Sequence, residues 1–354
     1  MQYIRPIAFS LLLLTMMHCS EKDNPVQSNY TNDFQPVDPF EQNARIAPGV
    51  NLGNALEAPS EGEWGMTIQW DYFYLLMDAG FHSIRIPIRW SAHAQTTAPY
   101  TIDATFLDRI DWVVEKTLEQ GMIAVINMHH YEEIFEDPEA HKNRFKHIWA
   151  QIAEHYKEYN EKLIFEILNE PHDQINSTRI WNAYFPEILD TIRVSNPERN
   201  VIVGPGSWNS IHEIPNLVFP ENDRHLIATF HYYEPFQFTH QGAEWVDGST
   251  AWMGTPWTAT ASQRSKIDQD FLKAKAWSDA HNRPVYMGEF GAYSQADMTS
   301  RIIWTDYVAR RAEAMGFSWA YWEFGAGFGI YDRDNRIWRY GLLEALIPDN
   351  GADQ

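Results

Sequence analysis

The sequence predicts a parallel (β/α)8 barrel, the TIM-barrel architecture, as a single α/β domain. Three observations lead there. Eight short apolar runs recur between residues 50 and 324. Most of the intervals between them carry apolar residues at helical spacing. The polar residues that interrupt the runs gather at their C-terminal ends, where barrel enzymes place their chemistry. A doubly wound open sheet would account for the first two observations, but it would put a Gly-rich phosphate loop after an early strand, and none is present.

In order, the strand-like runs are 50–56, 83–88, 123–130, 163–170, 201–206, 226–233, 285–290 and 317–324. The helical intervals show Phe106, Ile110, Val113, Val114 and Leu118, then Ile148, Ile152, His155 and Tyr159. Farther on come Trp181, Phe185, Ile188 and Ile192, and then Ile302, Tyr307, Ala309 and Ala312. The longest connection without a clear helix, 235–260, follows the sixth run and is rich in Trp, Thr and Gly. Connections of that length in compact domains usually carry function.

Ahead of the barrel, Arg5 precedes an apolar run, 7–17, that is too short to span a bilayer and reads as the core of a signal peptide. Cys19, the chain's one cysteine, stands where a bacterial lipoprotein signal would be cut and lipidated, although Met17 and His18 depart from the small residues such a site carries. Export is therefore expected, to a secreted, periplasmic or lipid-anchored surface location. Residues 20–39 are polar, contain three prolines and read as a disordered tether. The expected division is 1–19 signal, 20–39 tether and 40–350 barrel.

One cysteine excludes an internal disulfide and a cysteine-built zinc site. With 27 Lys and Arg against 48 Asp and Glu, the net charge of −21 argues against nucleic acid or an anionic lipid surface as partner. A neutral substrate is compatible with it.

The fourth run is Leu163-Ile-Phe-Glu-Ile-Leu-Asn-Glu-Pro171. Pro171 has no N–H to give a ladder and favours extended geometry before it, so Glu170 falls at the lip of a buried strand. Alternation puts Glu166, Leu168 and Glu170 on one face. Elsewhere it groups Arg85 with Ser83 and Pro87, Asn127 with His129, Thr229 with His231 and Tyr233, Met287 with Glu289, and Ser318 with Ala320 and Trp322. The outward face must be apolar to meet helices, so these polar sets point into the barrel. Arg85, His129, Glu170, His231, Tyr233, Glu289 and Trp322 are then expected to converge. Glu166 and Asn127, deeper in their strands, read as interior polar packing.

Two carboxylates ending strands four and seven suit retaining glycoside hydrolysis. In that reaction one carboxylic acid protonates the leaving oxygen and a carboxylate about 5–5.5 Å away attacks the anomeric carbon. Arg85 and the Tyr233 hydroxyl would keep the attacking group ionised. Trp322 offers a flat apolar face to a sugar ring.

From about residue 40 to residue 347 the chain resembles glycoside hydrolase family 5, the cellulase family. The motifs that carry the resemblance are Asn51-Leu-Gly-Asn-Ala-Leu-Glu57, Ile84-Arg-Ile-Pro-Ile-Arg-Trp90, Ile126-Asn-Met-His-His-Tyr-Glu-Glu133, Ile167-Leu-Asn-Glu-Pro171, Phe230-His-Tyr-Tyr233, Gly288-Glu-Phe-Gly291 and Trp319-Ala-Tyr-Trp-Glu-Phe324. The resemblance implies Glu170 as acid/base and Glu289 as nucleophile. It implies Asn169 at the sugar 2-hydroxyl, His231 and Tyr233 around the carboxylates, Arg85 beneath the nucleophile and Trp322 under the sugar. The chain is most similar to a branch of endoglucanases, some of which also act on β-mannan. That branch implies Asn54, Glu57, His129, His130, His240 and Trp245 along the cleft. It implies no cofactor, no metal, and β-1,4-linked polysaccharide as the partner: cellulose-type glucan, mixed-linkage glucan or glucomannan. For His130 and Glu57 a structural hydrogen bond is an alternative, and Trp208 reads equally as a stacking platform or as packing. Trp64, Trp252 and Trp257 fall in loop-like stretches and are candidates to extend the cleft, none singled out.

Rival readings are a mannanase as the main activity, a metal-dependent hydrolase built on the dense His129, His130, Glu132 and Glu133, and a non-catalytic glycan-binding lipoprotein. On a regular strand His129 and His130 point to opposite faces, which argues against a shared ion. Two buried carboxylates are a cost that a pure binder has no use for.

Overall fold

The computed structural model describes residues 34–348; the expected signal segment, Cys19 and the tether up to residue 33 lie outside the described residues. Eight parallel strands close into a barrel in sequence order, β1 (Gly49–Asn51), β2 (Ser83–Ile86), β3 (Ile123–Asn127), β4 (Leu163–Glu166), β5 (Val201–Val203), β6 (Leu226–Tyr232), β7 (Val285–Phe290) and β8 (Ser318–Tyr321). The ring is completed by β8 on β1, with Gly49 opposite Ala320. All eight expected strands are present.

Helices fill the predicted intervals, and their starts follow from local chemistry. Asp103 caps Ala104–Glu119 by accepting from Phe106 N. Asp137 caps Pro138–His155, whose Pro at the first position loses no intrahelical bond. Thr260 and Gln263 form a reciprocal capping box on Ala261–His281, and Asp297 caps Met298–Ala314. A four-residue turn, Gly206–Asn209, and a 3-10 helix, Ile211–Asn216, stand between β5 and β6 in place of a long helix.

Two apolar layers result. The larger lies between strands and helices and includes Ile84, Ile86, Phe165, Phe230 and Met287 with the helix faces. The smaller fills the barrel itself: Ile123, Val125, Ile164, Ile202, Ile227, Tyr286 and Ala320, with Ile46 closing the bottom. The barrel is a packed core up to the level of the site. At its N-terminal end, Asn43 donates to Val285 O at 3.0 Å and accepts from Ser318 Oγ at 2.6 Å.

Residues 34–39, assigned by composition to the tether, pack against this end. The Phe34 ring lies 4.8 Å from the Arg199 guanidinium, Val37 O accepts from Asn200, and Asp38 caps the helix Pro39–Ala44. The composition was polar, but one aromatic ring and one capping carboxylate are enough to tie it down.

Candidate active site

The C-terminal rim is where the chain departs from regular strand. The ladder of β4 stops at Glu166, and Glu170 has φ of 48°. Asn54, His130, Ser207, Trp208 and Asn209 also adopt left-handed backbone, so the ends of β1, β3, β4 and β5 each turn abruptly. For residues other than glycine this conformation is strained, and it recurs where side chains must be aimed.

This corrects two parity assignments. Leu168 does not share a face with Glu170; it belongs to the layer between strands and helices. Asn169 and Glu170, although consecutive, both reach the same site, because the turn at Glu170 ends the alternation. In β7, Met287 packs outward and Tyr286 inward. The register against β6 slips between Phe230 and His231, which pair with Met287 and Glu289, so Gly288 is an extra residue. That bulge returns Glu289 to the inside. A Cβ on Gly288 would lie 3.0 Å from Thr229 Oγ1 and 3.1 Å from His231 Nε2, which favours glycine there.

Arg85 organises the centre. Fully buried, it donates from Nε and Nη2 to both oxygens of Glu166 at 2.7 Å, from Nη1 to Glu289 Oε1 at 2.6 Å and Asn51 Oδ1 at 2.9 Å, and from Nη2 to Asn169 Oδ1 at 2.8 Å. Burial opposes its charge, but Glu166 and Glu289 outweigh that and keep it protonated. The other oxygen of Glu289 accepts from the Tyr233 hydroxyl at 2.9 Å. Burial and the two carboxylate charges push the Tyr233 hydroxyl well above its ordinary range, so it remains a donor. Glu170 Oε1 is 2.7 Å from His231 Nδ1, and Glu289 Oε2 is 3.5 Å from the same nitrogen. One ligating atom from each of Glu170, His231 and Glu289 lies within 4.8 Å of the others.

Burial pushes both carboxyls up. At Glu170 the hydrogen bond from His231 outweighs burial and holds the carboxyl below its ordinary range; at Glu289 burial and the neighbouring Glu170 charge outweigh His231 and Arg85 and leave it raised. With the two so close, the second ionisation must overcome mutual repulsion and is harder than the first. Burial alone would set the proton on Glu289, but the donors that cannot give up their hydrogens, Arg85 and Tyr233, both end there, and this geometry favours the negative charge on Glu289 and the proton on Glu170.

The other predicted site residues are distributed around this centre. The Trp322 ring stands over Gly53, whose missing Cβ would lie 2.8 Å from Cη2, and runs nearly parallel to the His129 ring at 6.0 Å. Asn127 accepts from Ile88 N at 3.3 Å, which turns its amide nitrogen to His129 Nδ1 at 3.1 Å. His129 therefore carries its proton on Nε2. Burial above all holds it far below the usual histidine range and neutral. His130 packs edge-on to Trp64 and lies 3.4 Å from Glu132. Glu57 accepts from the backbone N–H groups of Asn54 and Ala55, and burial pushes its carboxyl up to about 7 against their pull. On the opposite rim His240, lowered to about 4 by burial, stacks on Phe236 at 4.0 Å and meets Tyr233 edge-on. Trp245, 61% exposed, completes that wall against Tyr293. Trp208 is half exposed and stacks on His172 at 5.0 Å, next to the Glu170 turn. Trp257 is wholly buried and does not face the cleft.

The compact group of possible metal ligands among the described residues is Glu170, His231 and Glu289, not the His129–His130 pair. Arg85, 2.6 Å from Glu289, already provides there the positive charge an ion would bring. Sequence reasoning missed Asn51 and Asn209. Asn51 opens a quoted motif at the end of β1 and so left a signal; Asn209, whose Nδ2 is 3.4 Å from His231 Nε2, left none.

A family model described as Cellulase (glycosyl hydrolase family 5) matches residues 44–327. Endoglucanase H of Acetivibrio thermocellus is 42% identical over 318 residues, which are 88% of this chain; the chain spans only 34% of that protein's length. Structures of Thermotoga maritima Cel5A in complex with cellobiose and with mannotriose each align at TM-score 0.86 and 47% identity, covering 88% of this chain and 100% of theirs.

Proposed function

The chain belongs to glycosyl hydrolase family 5, and from that premise we propose that it is a retaining endo-β-1,4-glucanase. The observation that carries the reading is the pair of carboxyl oxygens, Glu170 and Glu289, within 4.8 Å of each other with Arg85 and Tyr233 bonded to Glu289 alone. That spacing suits direct attack on an anomeric carbon and leaves no room for an intervening water, as inversion would need.

In the first step Glu289 attacks the anomeric carbon while Glu170 gives its proton to the departing glycosidic oxygen. In the second, the ionised Glu170 takes a proton from water as the oxygen of that water displaces Glu289. Asn169 accepts from Arg85 through Oδ1, so its amide nitrogen is free to donate to the sugar 2-hydroxyl. Trp322 supports the ring undergoing reaction, and neutral His129 offers its Nε2 proton to a hydroxyl. Glu57, His130, Asn54, His240 and Trp245 line one arm of the cleft and Trp208 the other. Exposed Trp at both ends suits a polymer bound across the site rather than at its terminus.

The mannotriose complex of a protein 47% identical to this chain favours glucomannan and mannan as further substrates. The test is a panel of cellulose-type glucan, mixed-linkage glucan, glucomannan and galactomannan, assayed for viscosity and reducing ends, with proton NMR of the first product. Rapid viscosity loss and a β-anomer are expected. An α-anomer would refute the double displacement, and release of reducing ends without viscosity loss would refute internal cutting.

We also propose export with Cys19 as a candidate lipid anchor, on the sequence of the first 19 residues alone. N-terminal sequencing of the protein from its host checks it: an intact start at Met1 would contradict export.

A further inference from the structure

His231 touches both carboxyls through one nitrogen. Its Nδ1 lies 2.7 Å from Glu170 and 3.5 Å from Glu289. Each is an acceptor when ionised, so Nδ1 carries a hydrogen. His231 is 5% exposed, so the role of Nε2 is set by the protein groups it faces.

It faces Asn209, whose Nδ2 is 3.4 Å away. The Thr229 hydroxyl and the bare Cα of Gly288 close the other side. Asn209 is fully buried and held in place. Its amide fills the space a side chain at Gly204 would need, where a Cβ would come within 2.2 Å of Oδ1. Its backbone is the last of three consecutive left-handed residues, 207–209. That turn is tied to the segment following Glu170, through Ser207 N to Asn176 O at 2.9 Å and Trp208 N to Pro171 O at 3.2 Å. One strained turn thus sends Trp208 outward to the cleft and Asn209 inward to His231.

We propose that Asn209 is a positioning residue that donates its amide N–H to His231 Nε2 and holds His231 as the neutral Nδ1–H tautomer, which bonds Glu170 Oε1 and leaves Oε2 to carry the acid proton. An imidazolium in that place would stabilise the Glu170 carboxylate and take away the acid. The charged and titratable groups that interact with His231 are Glu170, Glu289 and His129. The Asn209 donor occupies the Nε2 lone pair and leaves Nδ1 as the nitrogen that carries hydrogen, directed at Glu170. During the first step the proton on Glu170 Oε2 passes to the glycosidic oxygen as its bond to carbon breaks, and His231 keeps its own proton throughout.

The inference rests on the retaining-hydrolase reading, but its first test needs no turnover. Nitrogen-15 histidine NMR of the full chain, with the His231 signals identified by their loss in His231→Gln, is expected to show Nδ1 protonated and Nε2 bare near neutral pH. A protonated Nε2 overturns the proposal. If the wild-type chain cuts no polysaccharide yet shows this tautomer, the hydrolase reading fails and the tautomer assignment stands. The second test is Asn209→Asp, whose carboxylate draws a proton onto Nε2. The alkaline limb of kcat is expected to move down by about one pH unit. At neutral pH, turnover of a substrate with a poor leaving group is expected to fall roughly tenfold, with KM little changed and an activated aryl glycoside nearly unaffected. Equal losses on both substrates with an unmoved profile would mean Asn209 only packs, and would overturn the proposal.

Discussion

Glu289→Gln is expected to lower kcat on a soluble glucan by roughly 10^5-fold, the scale on which loss of an attacking group is felt, while oligosaccharide affinity stays within a few-fold. An amide has no charge with which to attack the anomeric carbon, so no covalent intermediate forms. The substitution should leave the fold intact because Arg85 is not stranded by it. Both its Nε and Nη2 remain on Glu166, and Asn51 and Asn169 still accept from it. Replacing one charge of the cluster removes a carboxylate and leaves Arg85 balanced by Glu166, a milder change than deleting Arg85, which would bury two unpaired carboxylates. The amide oxygen can accept from Arg85 or Tyr233 in place of the carboxylate. Kinetics on a soluble polymer and calorimetric titration with an inactive oligosaccharide ligand check both halves. Normal turnover would remove Glu289 from its role, and lost affinity at unchanged stability would show that the charge serves ground-state binding.

The features legible in the sequence are those with a short period. Eight apolar runs gave the barrel, because a strand buried on both faces has to be apolar along its length. Arg85, His129 and His231 were aimed correctly by alternation because each lies in or next to a regular ladder. Alternation failed where the ladder stops. The expected run 163–170 is two things, a strand to Glu166 and an irregular lip, and the lip carries Asn169 and Glu170 into one site by a left-handed turn. In β7 the bulge at Gly288 reversed the faces, so Glu289 was assigned inward correctly but for the wrong neighbours. Neither event has a period to detect. Gly288 in the Gly-Glu-Phe-Gly motif was the one local hint, since a glycine inside a strand often marks a bulge. Asn209 was invisible for a different reason. Its importance comes from Gly204, five residues earlier, and from His231 on another strand, and only folding puts those together. Glu166 and Asn127 read as interior polar packing, and they are that. Their packing partners, however, are Arg85 and His129, so they fix the orientation of the site from beneath.

Glu170→Ala tests the other half of the pair, and its expected effect depends on the leaving group. For a polysaccharide the departing oxygen needs a proton, and removing the acid should lower kcat by about 10^3- to 10^4-fold. For an activated aryl glycoside the leaving group departs without one, so the first step should stay fast. The second step then lacks its base, and the glycosyl enzyme should accumulate as a burst of released phenol. A small anion such as azide, which needs no deprotonation, should restore turnover and give a β-linked product. The pH profile carries the sign of the argument. In the wild type the working form has one proton on the pair: kcat falls at low pH as Glu289 is protonated, and at high pH as Glu170 ionises. Removing Glu170 should abolish the high-pH limb on the aryl substrate, because the group whose ionisation caused it is gone. The low-pH limb should stay nearly in place, because Glu170 is already protonated and uncharged in the range where Glu289 titrates, and Arg85 and Tyr233 are still attached. A high-pH limb that persists in Glu170→Ala, or a loss of the same size on both classes of leaving group, would assign the acid to another residue.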